Sequence, residues 1–431
     1  MGTLLLTSIL VGTAIDLQLG KGIFFIAVIF LCISYPSAIL WSYLVFFATP
    51  QVTAAQAQLA QGTLLFVGLM VGTIVMRTGL KREIKVPRTC WIAYGIYLAV
   101  ILKGVALPSI YTTTPSADVE SVLLLALAFL LIRTEDDRKL LSNGFVTASV
   151  ILSVWTVYRM TRGQAPVSSI HVGTIEYRGN LAGDLFDPNQ VSEYIGFGLM
   201  LSLAALLQVK GRQKWIAYAP LVGHVVVSMW ALGLLASRGT GPLAIVAAAA
   251  LMMTIHYRQP FKSLASLGVL AVIALLAAQL PAFALVIDRW TNTKEVATGA
   301  GRTLLWTLGL NHVFSSDSSA LLFGEGGGAT YGIVSTIMHN QFLQALIEYG
   351  MIGLTSLVVL LSSAGRAAFN LASRTRTADV GLFIYLIIVC FSLVPLSKGW
   401  GSWGWLALAL VATANPSKSP LPEKEQLNGE Q

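Results

Sequence analysis

Apolar and polar stretches alternate along this chain at intervals that fit membrane-crossing segments. The apolar runs cover roughly 3–17, 22–34, 37–48, 59–76, 90–107, 119–132, 140–158, 189–208, 215–235, 241–257 and 263–287, followed by 341–363, 379–396 and 401–414. Most are about 15 to 25 residues long, the length a helix needs to cross roughly 30 Å of hydrocarbon. Only helices and closed barrels satisfy their backbone groups there, and the alternating ten-residue pattern of barrel strands is absent. The three runs before residue 50 are short and interrupted by Tyr35-Pro36-Ser37, so they read as half-spans or one bent helix. The pattern predicts a single all-α, polytopic membrane domain over residues 1–431 with about twelve transmembrane helices.

Composition agrees with the pattern. Hydrophobic residues make up 55% of the 431 and charged residues 11%, with a mean hydropathy of +0.73; a soluble globular domain is excluded. Met1 to Asp16 lacks a basic segment and a small-residue cleavage site, which makes it a membrane segment in place of a removed signal peptide. Cys32, Cys90 and Cys390 are far apart and lie in or beside apolar runs, as small core residues do, and form no disulfide or metal pattern.

Charge sets the orientation. Lysine and arginine concentrate in 77–88, 133–139, 210–214, 258–262, 366–376 and the polar tail 415–431, which together hold eighteen of the 28. All of these fall on one side when the runs alternate, and the positive-inside rule makes that side cytoplasmic. The two long polar intervals, 159–188 and 288–340, then face outward, where functional loops are expected.

Several arginines on that outer side are not explained by topology. Arg238 sits in a tight turn between two runs, Arg178 in the first outer loop, and Arg289 and Arg302 in the second. A guanidinium presents a fork of donors suited to phosphate oxygens, so several around one cavity would suit a pyrophosphate. The alternative is pairing with Asp184, Asp187, Asp288 or Glu295, or with lipid headgroups. His339 ends the second outer loop, between a glycine-rich turn and the run starting at Gln341. It suits either a helix anchor or a general base, since an imidazole with an ordinary pKa of about 6.5 can take a proton from a hydroxyl. His171, His224, His256 and His312 show no paired metal spacing and no outer loop holds Asp-x-Asp, so the expected chemistry uses no metal. Glu325, inside the glycine-rich turn, has no evident role.

These residues carry a resemblance. His339-Asn340, nine residues, Gly350, two residues and Gly353 are similar to the histidine motif of the O-antigen ligases. Asp187-Pro188-Asn189, Ser237-Arg238-Gly239, Gly301-Arg302-Thr303-Leu304-Leu305-Trp306 and Phe323-Gly324-Glu325-Gly326 resemble that family's other landmarks, in the same order. Glu325 and the first fifty residues depart from it. The resemblance implies a GT-C-type membrane glycosyltransferase in the inner membrane of a Gram-negative bacterium. It would move O-antigen from undecaprenyl pyrophosphate to a sugar hydroxyl of lipid A-core on the periplasmic side, with no cofactor and no nucleic acid. The resemblance and the outer placement together assign His339 as general base and Arg238, Arg302, Arg289 and Arg178 as pyrophosphate ligands, with inversion at the anomeric carbon. The glycine-rich turn is then read as a hinge for the outer loop. An O-antigen polymerase, a pilin-directed oligosaccharyltransferase and a lipid-linked glycan transporter remain open. Against the transporter, charges collect in loops, while Lys103 and Glu193 lie near outer ends of runs and Asp16 is unexplained.

Overall fold

The computed structural model describes residues 38–48, 56–79, 84–112, 115–161, 166–171, 174–179, 188–208, 215–235, 240–256, 259–280, 283–284, 287, 291, 301–369, 377–396 and 403–413. Among them are fifteen helices and one β-hairpin. The helices are α1 (Ile39–Ala48), α2 (Gln56–Met76), α3 (Arg88–Ala106), α4 (Pro115–Leu131) and α5 (Glu135–Thr161), then α6 (Pro188–Leu207), α7 (Trp215–Leu235), α8 (Thr240–Ile255) and α9 (Pro260–Ala278). The second outer interval contributes α10 (Arg302–Ser315), α11 (Ser318–Phe323) and α12 (Ala329–Val334). The chain closes with α13 (Gln341–Phe369), α14 (Thr377–Ser392) and α15 (Trp403–Ala412).

Every apolar run from residue 37 onward coincides with a helix; the first two lie outside the described residues. Among the described residues, five helices are long and apolar enough to cross a membrane: α3, α5, α6, α7 and α13. α1 and α15 span ten residues each and are buried along almost their whole length. A helix apolar on every side belongs inside a bundle, and ten residues rise only about 15 Å. The expectation of all helix needs one addition in the first outer interval. There β1 (Pro166–His171) and β2 (Thr174–Gly179) pair antiparallel, from Pro166 opposite Gly179 to His171 opposite Thr174.

Two ends of the bundle are chemically distinct. At one end α5 starts in a capping box: Thr134 Oγ1 accepts from Asp137 N, while Asp137 Oδ2 accepts from the N–H of Thr134. The same carboxylate receives Arg77 Nη2 at 3.0 Å, and Arg77 Nη1 donates to Leu131 O. Arg138 lies one residue further on and reaches Asp379 at 2.5 Å and Leu410 O at 3.2 Å, joining the starts of α5 and α14 to the end of α15. The basic connections 77–88 and 133–139 and the start of α14 after 370–376 therefore share one end. From there α3 rises to the 107–112 connection at the opposite end, and α13 returns.

Between the ends, α5, α6 and α7 meet at a polar seam. Ser149 Oγ donates to Ile195 O at 2.9 Å, so it must accept from His224 Nε2–H, also at 2.9 Å. The other ring nitrogen, Nδ1, is then the acceptor for Ser202 Oγ at 2.7 Å. A polar residue in a spanning helix is tolerated when its hydrogen bonds are met by neighbouring helices, and here both ring nitrogens are used.

Candidate functional site

The site is built where the second outer interval folds onto α13. That helix is not continuous: Gly350 adopts φ 66° and ψ −169°, which divides it into a short segment from Gln341 to Tyr349 and a long one beyond. Gly324, at the end of α11, adopts φ 72° and ψ 177°. Both conformations lie in a region essentially reserved for glycine. The two glycines face each other, and a Cβ on Gly350 would stand 2.5 Å from Gly324 N. Around this contact the turn after α11 docks on the kink, with Glu325 N donating to Ile347 O at 3.0 Å and Gly326 N to Glu348 O at 2.8 Å. On the other side, Ser109 Oγ and Thr112 Oγ1 each donate to Glu325 O at 2.7 Å. The turn expected to act as a hinge is thus tied to α13 and to the end of α3.

His339 comes immediately before the short segment. Its own φ is +50°, a left-handed conformation uncommon for a residue with a Cβ and frequent at functional sites. Asn340 caps the helix that follows, its Oδ1 accepting from Phe342 N at 3.0 Å and Leu343 N at 3.1 Å. On the preceding side, Met338 is fully buried and its carbonyl accepts from Trp306 Nε1 at 2.8 Å. Gln341 Oε1 accepts from Leu396 N, fastening the same corner to the turn that follows α14. His339 is therefore half-buried between three fixed neighbours, with Nδ1 shut off from solvent.

Arg302 opens α10, the helix that carries Trp306. Residues four apart lie on one helix face, so Arg302 shares the face through which Trp306 reaches the His339 segment. α10 packs by Val313 against Val334, Met338 and Ile347, with Leu305 and Trp306 at the margin. Two sequence-predicted groups, Arg302 and His339, thus flank one hydrogen bond in sequence: Arg302 lies one helical turn before Trp306, and His339 directly follows Met338. Arg238 and Arg289 lie outside the described residues. Arg178 is placed by its backbone on β2, opposite Val167. β2 touches α7, whose last residue, Leu235, leads to the segment that holds Arg238.

The site also holds groups that the sequence reading passed over or could not place. Glu325 Oε1 lies 3.0 Å from His312 Nε2, with the two side chains 13% and 20% exposed. The Tyr111 ring meets the His312 imidazole edge-on at 5.1 Å. Glu348, only 1% exposed, accepts from Thr330 Oγ1 at 2.9 Å and from Gln344 Nε2 at 3.3 Å. Its signal in sequence was a carboxylate inside an apolar run four residues after Gln344, a spacing that places both side chains on one helix face. Lys103 Nζ sits 5.8 Å from the centre of the Phe323 ring, beside the same turn.

Chemically, the arrangement offers a half-buried imidazole on a rigid corner, a guanidinium-bearing helix fastened to that corner, and a His312–Glu325 pair that ties the same helix to the glycine-rich turn. No protein-family model matches the chain, and no curated protein does.

Proposed function

We propose that this protein is an O-antigen ligase of the Gram-negative inner membrane. In this reading about twelve helices of GT-C type form the membrane domain, and the His339 end faces the periplasm. O-antigen is transferred from undecaprenyl pyrophosphate to a sugar hydroxyl of lipid A-core. The observation that carries the reading is the joining of the His339 corner to the Arg302 helix through Trp306 and Met338, at the end of the bundle opposite the buried Arg77–Asp137 and Arg138–Asp379 pairs. The ordered motifs around His339, Arg302, Arg238 and Asp187 support the same family.

The mechanism follows from the groups. The His339 imidazole removes the proton of the acceptor hydroxyl as its oxygen attacks the anomeric carbon. The bond from that carbon to the pyrophosphate oxygen breaks, and undecaprenyl pyrophosphate leaves with the electron pair. Developing negative charge falls on oxygens that Arg302, Arg238, Arg289 and Arg178 neutralise; charge stabilisation of this kind is the largest single catalytic contribution in many enzymes. One displacement inverts the anomeric centre. His339 and the arginines need no soluble cofactor for this step.

A deletion strain tests the reading against a polymerase. Loss of a ligase leaves long lipid-linked O-antigen and uncapped lipopolysaccharide. Loss of a polymerase leaves lipopolysaccharide capped with single repeats and no long polymer, and that result would overturn the assignment.

A further inference from the structure

α10 is held at two points on different sides. Trp306 Nε1 donates to Met338 O at 2.8 Å, and six residues later His312 Nε2 meets Glu325 Oε1 at 3.0 Å. Six residues advance a helix by about 9 Å and turn it about 600°, so the two attachments point some 120° apart. A helix fastened at one point can pivot; fastened at two, on different sides, it can neither tilt nor roll freely. Between the two points, Gly309 lets Met338 and Ile347 close in, since a Cβ there would stand 2.7 Å from both side chains.

The second attachment is anchored on its far side. The Glu325 N–H donates to Ile347 O, and its carbonyl receives Ser109 and Thr112. The carboxylate therefore extends from backbone that is fixed to α13 and to the end of α3. Tyr111, packed edge-on against the imidazole, restricts the rotation of His312.

We propose that His312 and Glu325 are a positioning pair that sets the orientation of α10 and, through it, the placement of Arg302 relative to His339. The proposal rests on the ligase reading for its catalytic consequence only. Arg302 lies four residues, about 6 Å, beyond the Trp306 attachment, on the opposite side from His312. If the His312 attachment is lost, the helix pivots about Trp306 and the guanidinium end swings the other way. A shift of 1 Å at His312 becomes roughly 0.7 Å at Arg302 by the ratio of these arms. Misplacement on the scale of 1 Å can cost about 10²-fold in rate.

The test uses full-length protein in lipid nanodiscs, with undecaprenyl pyrophosphate glycan as donor and lipid A-core as acceptor. Glu325→Ala and His312→Ala each lower kcat by about 10- to 100-fold and raise the donor KM, while the acceptor KM stays fixed. The double variant is no worse than either single one, because both remove the same contact. Glu325→Gln restores activity relative to Glu325→Ala, since the amide oxygen still accepts from Nε2–H. Hydrogen exchange of the 302–308 amides speeds up in both alanine variants, and that of 351–361 does not change. Wild-type kcat in Glu325→Ala, multiplying losses in the double variant, or unchanged exchange at 302–308 would each overturn the proposal. If Glu325→Ala does not insert, Glu325→Leu, which keeps the bulk without the acceptor, replaces it in the same comparisons. A wild-type protein that transfers nothing removes the ligase reading, and the exchange measurement then decides the positioning claim by itself.

Discussion

Gly324 and Gly350 pack backbone to backbone, each in a conformation essentially reserved for glycine: a Cβ on Gly350 would stand 2.5 Å from Gly324 N, and one on Gly324 would stand 2.3 Å from the N of Tyr349, the residue before Gly350. The contact joins the glycine-rich turn of the second outer interval to the break in α13, backbone against backbone. Rigid backbone support of this kind is what a precisely placed catalytic side chain requires. Gly350→Ala places a Cβ against Leu322 and Gly324 main-chain atoms that cannot rotate away. Strain of about 1–3 kcal/mol is expected from the conformation alone. Thermal unfolding in detergent should show a lower Tm, together with loss of transfer; an unchanged Tm would mean that the kink relaxes without cost.

Trp306 makes a connection to the His339 corner. Trp306→Phe keeps most of the ring and removes the Nε1–H that reaches Met338 O. The lost hydrogen bond costs about 1 kcal/mol of stability, a small effect on Tm. The rate should suffer more than the fold does, because the carbonyl precedes His339 directly. Comparing kcat with Tm for this variant separates the two, and equal small losses in both would argue against a positioning role for the indole.

The opposite end of the bundle makes a contrasting prediction. Arg138 is buried and held by Asp379, Glu135 and Leu410 O. Asp379→Ala leaves the guanidinium without its closest carboxylate, and breaking a buried pair by removing one partner typically costs about 3–5 kcal/mol. The variant should accumulate poorly in membranes. Arg138→Met combined with Asp379→Leu removes both charges and should recover much of the yield, which quantitative immunoblotting of membrane fractions measures. A double variant as poor as the single one would show that the pair does more than neutralise itself.

The sequence carried the helices clearly and the site only in part. Apolar runs mark helices because a bilayer accepts little else, and of the basic connections the structure shows Arg77, Arg133 and Arg138 gathered at one end of the bundle. Periodicity does not distinguish a buried helix from a lipid-facing one, so the enclosure of α1 and α15 along their described lengths was not legible in the sequence. At the site, His339, Asn340, Gly350 and Arg302 stood out as motif residues. The role of Glu325 was not legible, since its partner His312 lies thirteen residues earlier on a separate helix. Glu348 was hidden by the apolar residues around it: Gln344 reaches it within α13, but its hydrogen bond from Thr330 exists only after α12 folds onto α13.

Reconstitution shows whether His339 is the base of a glycosyl transfer between two lipid-linked substrates. Purified wild-type and His339→Ala proteins are given undecaprenyl pyrophosphate glycan and lipid A-core, with and without a chelator, and ligated lipopolysaccharide is measured. The wild-type protein should transfer in both conditions, and the variant should lose about 10²- to 10⁴-fold with the same Tm and membrane insertion. Wild-type transfer rates in His339→Ala, or activity that disappears with the chelator, would contradict this mechanism.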